Sequence, residues 1–267
     1  MKKQLIIIIF LFIAIALQAM SIAVENRKTT PFTTIRSLSS VDIVLEQGDD
    51  YSLRVEAPKE YLGHIKTEVH DGILSVSVQG MLSYSGTITV YVQVKELSKV
   101  VLNASGDFRV EGILKTAEFS LNVSGSGDFN GQLNSKNVRC NMNSSGDVQL
   151  GGITGHFEAK INGSGDLIAN NLHLLSAQIG MFGSGDVKLS GDADFLELIQ
   201  SGSGDFSGRD FELESAVVKK SSSGDASIFA KNSIDLSISG SGDIYLKGNP
   251  ELKKIYISGS GEIIKIN

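Results

Sequence analysis

Ser124-Gly125-Ser126-Gly127-Asp128-Phe129 returns along the chain in variants that always keep a Ser-Gly-acid core. The triplet ends at Asp107, Asp128, Asp147, Asp166, Asp186, Asp205, Asp225 and Asp243, and a ninth copy ends at Glu262. Successive copies lie 18 to 21 residues apart, so the period is about 19. The intervening residues differ while their polarity pattern persists, which marks a solenoid or an array. Counting back from each acidic residue, the ninth, seventh and fifth positions are mostly apolar, as in Phe119, Leu121 and Val123 or Ile234, Leu236 and Ile238. The residue after it is apolar as well: Phe108, Phe129, Val148, Leu167, Val187, Phe206. Such alternation makes strands with one buried face. Leucine-rich spacing, a six-residue sub-period and a helical stripe are all missing. The expected fold is all-β: a parallel β-helix of about 19 residues per coil, with two or three short strands in each, right-handed by the crossover rule.

Within each station the residue before the acid is always glycine, and the one before that always serine. The third position back is small (Ala104, Ser144, Ser222 or glycine), and the fourth is serine or asparagine except at Phe182. The strand phase points the small residues inward and the serines and aspartates outward, as ladders along one side. The alternative is a turn in which the glycine takes positive φ. Ladder coils repeat at about 4.8 Å, where two unit charges repel by about 0.9 kcal/mol in water and about 3.5 kcal/mol at an effective dielectric of 20. A row of aspartates therefore needs compensation. Serine hydroxyls and backbone N–H groups, shared protons with raised carboxyl pKa values, or a bound cation such as calcium would each supply it. The calcium candidates are Asp128, Asp147, Asp166, Asp186 and Asp205; the binding-face candidates are Ser126, Ser145, Ser164, Ser184 and Ser203. No metal site, cofactor or catalytic residue is assigned, and scaffold is the leading reading of the ladder.

Outward from the repeat, residues 24–99 carry little glycine and alternate at period two: Val41, Ile43 and Leu45, then Leu53 and Val55, then Leu74, Val76 and Val78, then Ile88 and Val90. Short turns such as Asp71-Gly72 mark antiparallel hairpins. This N-terminal β region is expected to cap a repeat solenoid spanning residues 100–267. Residues 1–23 read as a cleaved leader: Lys2 and Lys3, an apolar run from Leu5 to Leu17, then Ser21-Ile22-Ala23. The run is too short to span a bilayer comfortably, and no second stretch would anchor the mature chain. The protein is expected to be exported to the periplasm, cell surface or medium.

The 267 residues carry a net charge of −6, or −8 once the two leader lysines are removed, which argues against nucleic acid as a partner. One cysteine rules out an internal disulfide framework, and Cys140 falls at an inward position as a core residue. Gln200 and Lys220 break the apolar phase in adjacent coils. They stack as a polar pair inside or mark a local outward twist. His64, His70, His156 and His173 match no metal spacing. The serines and carboxylates repeat without a histidine to make a nucleophilic triad. Coils of near-constant length leave no room for the long loops that build a catalytic cleft, so the protein is expected not to be an enzyme.

Leu45-Glu46-Gln47-Gly48, Asp71-Gly72-Ile73-Leu74 and the repeated Ser-Gly-Ser-Gly-Asp-Phe resemble the head GIN domain family of auto-transporter adhesins, over about Phe32 to Asn267. The resemblance implies a secreted or surface-exposed β-solenoid of the bacterial envelope with a role in adhesion, and brings no catalytic residues. The chain ends at Ile263–Asn267 with no membrane barrel, so literal auto-transport is not expected. The functional expectation is a non-enzymatic envelope adhesin that presents its Ser/Asp face to a glycan or protein partner. The alternatives are a structural protein that self-associates into a homo-oligomer and an enzyme acting on polysaccharide.

Overall fold

A computed structural model describes residues 22–80 and 87–267. The leader expected over residues 1–23 lies outside them except for Ile22 and Ala23, which open the first strand. The N-terminal strands are β1 (Ile22–Arg27), β2 (Thr34–Ser37), β3 (Asp42–Gln47) and β4 (Ser52–Pro58). A 3-10 turn at Leu62–His64 precedes β5 (Ile65–His70), β6 (Ile73–Val78) and β7 (Thr89–Val94). Next come β8 (Lys99–Leu102), β9 (Phe108–Lys115) and β10 (Glu118–Val123). Six long strands follow: β11 (Phe129–Met142), β12 (Val148–Ile161), β13 (Leu167–Met181), β14 (Val187–Gln200), β15 (Phe206–Lys220) and β16 (Ala226–Ile238). β17 (Ile244–Lys247), β18 (Glu251–Ile257) and β19 (Ile263–Ile266) complete the stack.

Each long strand is most of one coil, bent rather than straight. In β11, Phe129, Leu133, Val138, Cys140 and Met142 are buried while Lys136 and Asn137 both face out. Two outward residues in succession reverse the alternation, and that reversal is a corner. The parallel pairing of β11 with β12 slips there, between Gln132 and Ser135 and again before Asn137. The expected two or three short strands per coil thus fuse around bulged corners. A corner five residues past the station takes left-handed backbone at Gly112, Gly152, Asn171, Gly191 and Gly248. Glycine and asparagine tolerate that region at least cost.

Stacking is parallel and in register, so identical positions superpose from coil to coil. Phe129 pairs with Phe108 below and Val148 above, and the Phe108 and Phe129 rings stack with centroids 5.4 Å apart. One continuous core runs from Phe32 to Leu246. Each fully buried leucine, isoleucine or phenylalanine in it contributes about 1.5–3 kcal/mol relative to exposure.

The N-terminal region joins the stack out of sequence order. β2 lies parallel between β6 and β8, and β3 lies parallel between β7 and β9. The coil made by β6 and β7 is therefore outermost, the one made by β2 and β3 sits beneath it, and the stack is continuous across residues 99 and 100. β4 closes the outermost coil antiparallel to β7, β1 adds antiparallel to β4, and β5 pairs back onto β6. These three strands cap the solenoid and cover an edge that would otherwise invite pairing with another chain.

Candidate functional site

The Ser-Gly-Asp stations form one edge of the stack. At each, the aspartate Oδ1 accepts a hydrogen bond from the backbone N–H of the acidic residue one coil on. The distances are 2.9 Å for Asp128 N–H to Asp107, 2.8 Å for Asp147 to Asp128, 2.8 Å for Asp166 to Asp147 and 2.7 Å for Asp186 to Asp166. Asp205, Asp225 and Asp243 continue the chain at 2.8, 2.7 and 2.8 Å, and Glu262 N–H ends it on Asp243 at 2.9 Å. Of the three compensations open from sequence, backbone donation is present at every aspartate station. Each negative charge is met by an aligned N–H dipole, and each otherwise unpaired turn N–H is satisfied. The ladder begins one coil before the first triplet, at Asp42, whose Oδ1 accepts from Asp107 N–H at 3.0 Å. The sequence signal was faint there: Ser39-Ser40-Val41-Asp42 lacks the glycine.

The station glycines stay out of the left-handed region, so a positive-φ turn is not why they are glycine. The reason is close approach. A Cβ on Gly127, Gly146, Gly165, Gly185 or Gly204 would run into the carbonyl of the equivalent glycine in the coil below. Ser126, Ser145, Ser164, Ser184 and Ser203 are exposed, as are Asp128, Asp147, Asp186 and Asp205, with Asp166 half-buried. Among the described residues no three His, Cys, Asp or Glu side chains converge as a metal site would require.

Around the corner from this edge lies a shallow groove of about 630 Å³, lined among others by Lys99, Glu118, Arg139, His156, Glu158 and Gln178. Glu158 accepts from Arg139 Nε at 2.8 Å and is 2.9 Å from Lys160 Nζ. Those hydrogen bonds, from Lys160 first and Arg139 second, hold its carboxyl below the usual range. His156 Nδ1 lies 2.8 Å from Ser176 Oγ. No carboxylate hydrogen-bonds the other ring nitrogen among the described residues, so the orienting third member of a nucleophilic triad is missing.

Gln200 and Lys220 both point inward, at 0 % and 2 % exposure, so the outward twist is not adopted. They bond the stations' inner carbonyls: Gln200 Nε2 donates to Gly204 O at 2.7 Å and Asp225 O at 3.0 Å, and Lys220 Nζ to Ser222 O at 3.2 Å. Gln200 Oε1 has no partner among the described residues. Burial pushes the Lys220 pKa down, opposed by the nearby carboxylates of Asp225, Asp243 and Asp205. Cys140 is fully buried and its thiol is pushed up to about 12, which makes it a core residue without nucleophilic character at neutral pH.

A family model described as "Putative auto-transporter adhesin, head GIN domain" matches residues 31–186 and 171–250. The chain belongs to the head GIN domain family. The two matches overlap and together span both the capped N-terminal coils and most of the stations, as expected when one repeating stack is read by one model. Among solved structures, a head GIN domain of this shape is similar to a protein from Parabacteroides distasonis titled a putative lipid binding protein, with TM-score 0.62 and 23% identity over 92% of this chain and 97% of that one. A putative adhesin from the same species gives TM-score 0.61 at 17% identity, over 92% and 97%. One from Bacteroides fragilis gives 0.51 at 20%, again over 92% and 97%. At these identities the likeness concerns the fold alone. A comparison with curated proteins finds no match. Among the described residues, no helix is long and apolar enough to cross a membrane.

Proposed function

We propose that this head GIN domain is a non-enzymatic adhesin exported to the cell envelope, which presents the Ser/Asp edge and the adjoining polar face to a glycan or protein partner. The observation that carries the reading is the register of the stack, which is regained after each bulged corner. From Phe129 to Ile238 each coil superposes on the last through short bulges alone. Such a stack gives a long, rigid, repetitive surface, the geometry that solenoids use for binding. A hydrolytic role is less well supported, because the groove carboxylate Glu158 is held ionised by two cations, whereas a general acid needs a raised pKa. The test is saturable binding of the protein, recovered from an exporting host, to arrayed glycans and immobilised matrix proteins. Binding to neither would sink the reading.

A second reading, self-assembly, has its own observation. At the C-terminal end, Ile255 and Ile257 occupy the register positions of Leu236 and Ile238, yet they are 45% and 44% exposed where those residues are buried. Apolar core positions left open on strands whose outer edges have no partner among the described residues favour association of copies. Light scattering across a hundredfold concentration range is expected to show the mass rising, and Ile257→Lys to suppress the rise. A constant monomer mass would dispose of this reading.

A further inference from the structure

Phe182 departs from its column. The equivalent position holds serine or asparagine at every other station, and those side chains make polar links such as Asn162 Nδ2 to Asn143 Oδ1 at 2.6 Å. Closing the coil therefore does not call for an aromatic residue, yet the ring stands 47% exposed. It is nonetheless fixed in place. A Cβ on Gly180 would meet its ring carbons at 2.7 and 3.1 Å, so the ring lies against the glycine and buries that backbone while much of it faces solvent. Gly180 sits in the outward register column between Lys160 and Ile199.

Two residues along the same strand is Gln178, which lines the groove. Gln178 is the last groove-lining member of a register column that runs Lys99, Ser120, Arg139, Glu158, Gln178 through successive coils and passes on to Glu197. At about 4.8 Å per coil this row is roughly 19 Å long. It offers an ammonium, a hydroxyl, a guanidinium, a carboxylate and a carboxamide, so donors and acceptors alternate without a dominant sign. A phosphate-bearing polymer would meet Glu118 and Glu158 in the same groove. An acyl chain would reach little apolar surface, because Phe119, Val138 and Phe157, which line the groove as one register column, are buried beneath the polar row. An extended peptide pairs with a free strand edge, and here both edges of each central coil are already used by neighbouring coils. An unbranched chain of pyranoses fits: its hydroxyls suit the mixed polar row, and the apolar face of a ring suits an exposed aromatic held at one end.

We infer that this face holds an oligosaccharide, with Phe182 as the stacking platform and the Lys99-to-Gln178 row as its hydrogen-bonding partners. The inference rests on the adhesin reading and narrows its partner. The experiment applies the wild-type protein, Phe182→Ala, Gln178→Ala and Ser145→Ala to one array carrying neutral, acidic and amino-sugar oligosaccharides beside matrix proteins, with thermal melts as the folding check. Retention of an oligosaccharide that weakens about tenfold in Phe182→Ala and in Gln178→Ala, with unchanged melts, is the expected result. If oligosaccharides are ignored and a matrix protein is held, the saccharide assignment falls while adhesion stands. If nothing is held, both fall. If an oligosaccharide is held equally by Phe182→Ala and Gln178→Ala, or is lost only in Ser145→Ala, the groove is not its site. Where a variant does not fold, line broadening of phenylalanine ring signals in the labelled wild-type protein, on titration with the retained oligosaccharide, decides between the faces. The exposed Phe182 ring is expected to respond, and an unresponsive ring overturns the assignment.

Discussion

Gly146 and Asp147 carry the two constraints that make a station. A Cβ at Gly146 would overlap the Gly127 carbonyl of the neighbouring coil. Because the obstruction is backbone, the coils themselves must separate. Gly146→Ala is expected to cost about 2–3 kcal/mol in a urea melt, whereas Gly63→Ala, which meets open space, should stay within about 0.5 kcal/mol. Asp147 acts through one oxygen, which accepts the Asp166 N–H at 2.8 Å. Asp147→Asn keeps that acceptor and removes a like charge from the row, so stability should hold or rise slightly. Asp147→Ala removes the acceptor and should cost about 1 kcal/mol. If Asn proved as damaging as Ala, the charge itself would matter, and calcium between coils would return as the explanation.

At the scale of an element, β14 and β15 place their last residues, Gln200 and Lys220, in one buried register pair. Lys220 is the costly member. Its depressed folded pKa means that, between that value and the ordinary lysine value, the unfolded chain binds the proton that the folded chain lacks. Stability therefore rises as pH increases through that window and is lowest below it. Lys220→Met fills the same volume without a charge to desolvate. It should stabilise the fold by about 1–3 kcal/mol at neutral pH and abolish the alkaline gain, as read from urea melts at pH 7 and pH 10. A destabilised Lys220→Met would show that the bond to Ser222 O outweighs desolvation. The same strands illustrate a limit of pattern reading. Their polar residues at an apolar position were visible, but which way they turn depends on station carbonyls that the folded turns bring to them, those of Gly204 and Ser222 from their own coils and that of Asp225 from the next.

Across the whole molecule, stability is a sum of coil-to-coil interfaces, since each coil touches only its two neighbours. Coils from β11 to β15 have a partner on both sides. β19 pairs with β17 and β18 with β16, with no further strand beyond them among the described residues. At the other end, among the described residues, β1 pairs only with β4. Hydrogen exchange followed by mass spectrometry should accordingly find the slowest amides in β12 to β14 and the fastest in β1, β18 and β19. Uniform protection would mean that the stack opens as a single unit and that neighbour terms do not govern it.

Much of this was legible in one dimension because a solenoid is nearly one-dimensional. A parallel in-register stack places residue n beside residue n plus one period, so the spacing of Ser-Gly-Asp already implied which side chains superpose, which face is buried and where the serine and aspartate ladders run. What it left open concerned contacts that do not follow the period. Asp42 begins the ladder without its glycine because β2 and β3 slot between β6 and β8 and between β7 and β9, an order no linear reading supplies. The left-handed corner at Gly112, Gly152 and Gly191 was hidden because Asn171 fills the same role and other coils lack it. The groove from Lys99 to Gln178 and the ring of Phe182 beside it are built from outward positions, where no burial constraint imposes a pattern. Periodic packing is written in the sequence because every coil must satisfy the same neighbours. The surface proposed to meet a partner is under no such repetition, and only the folded stack brings its residues together.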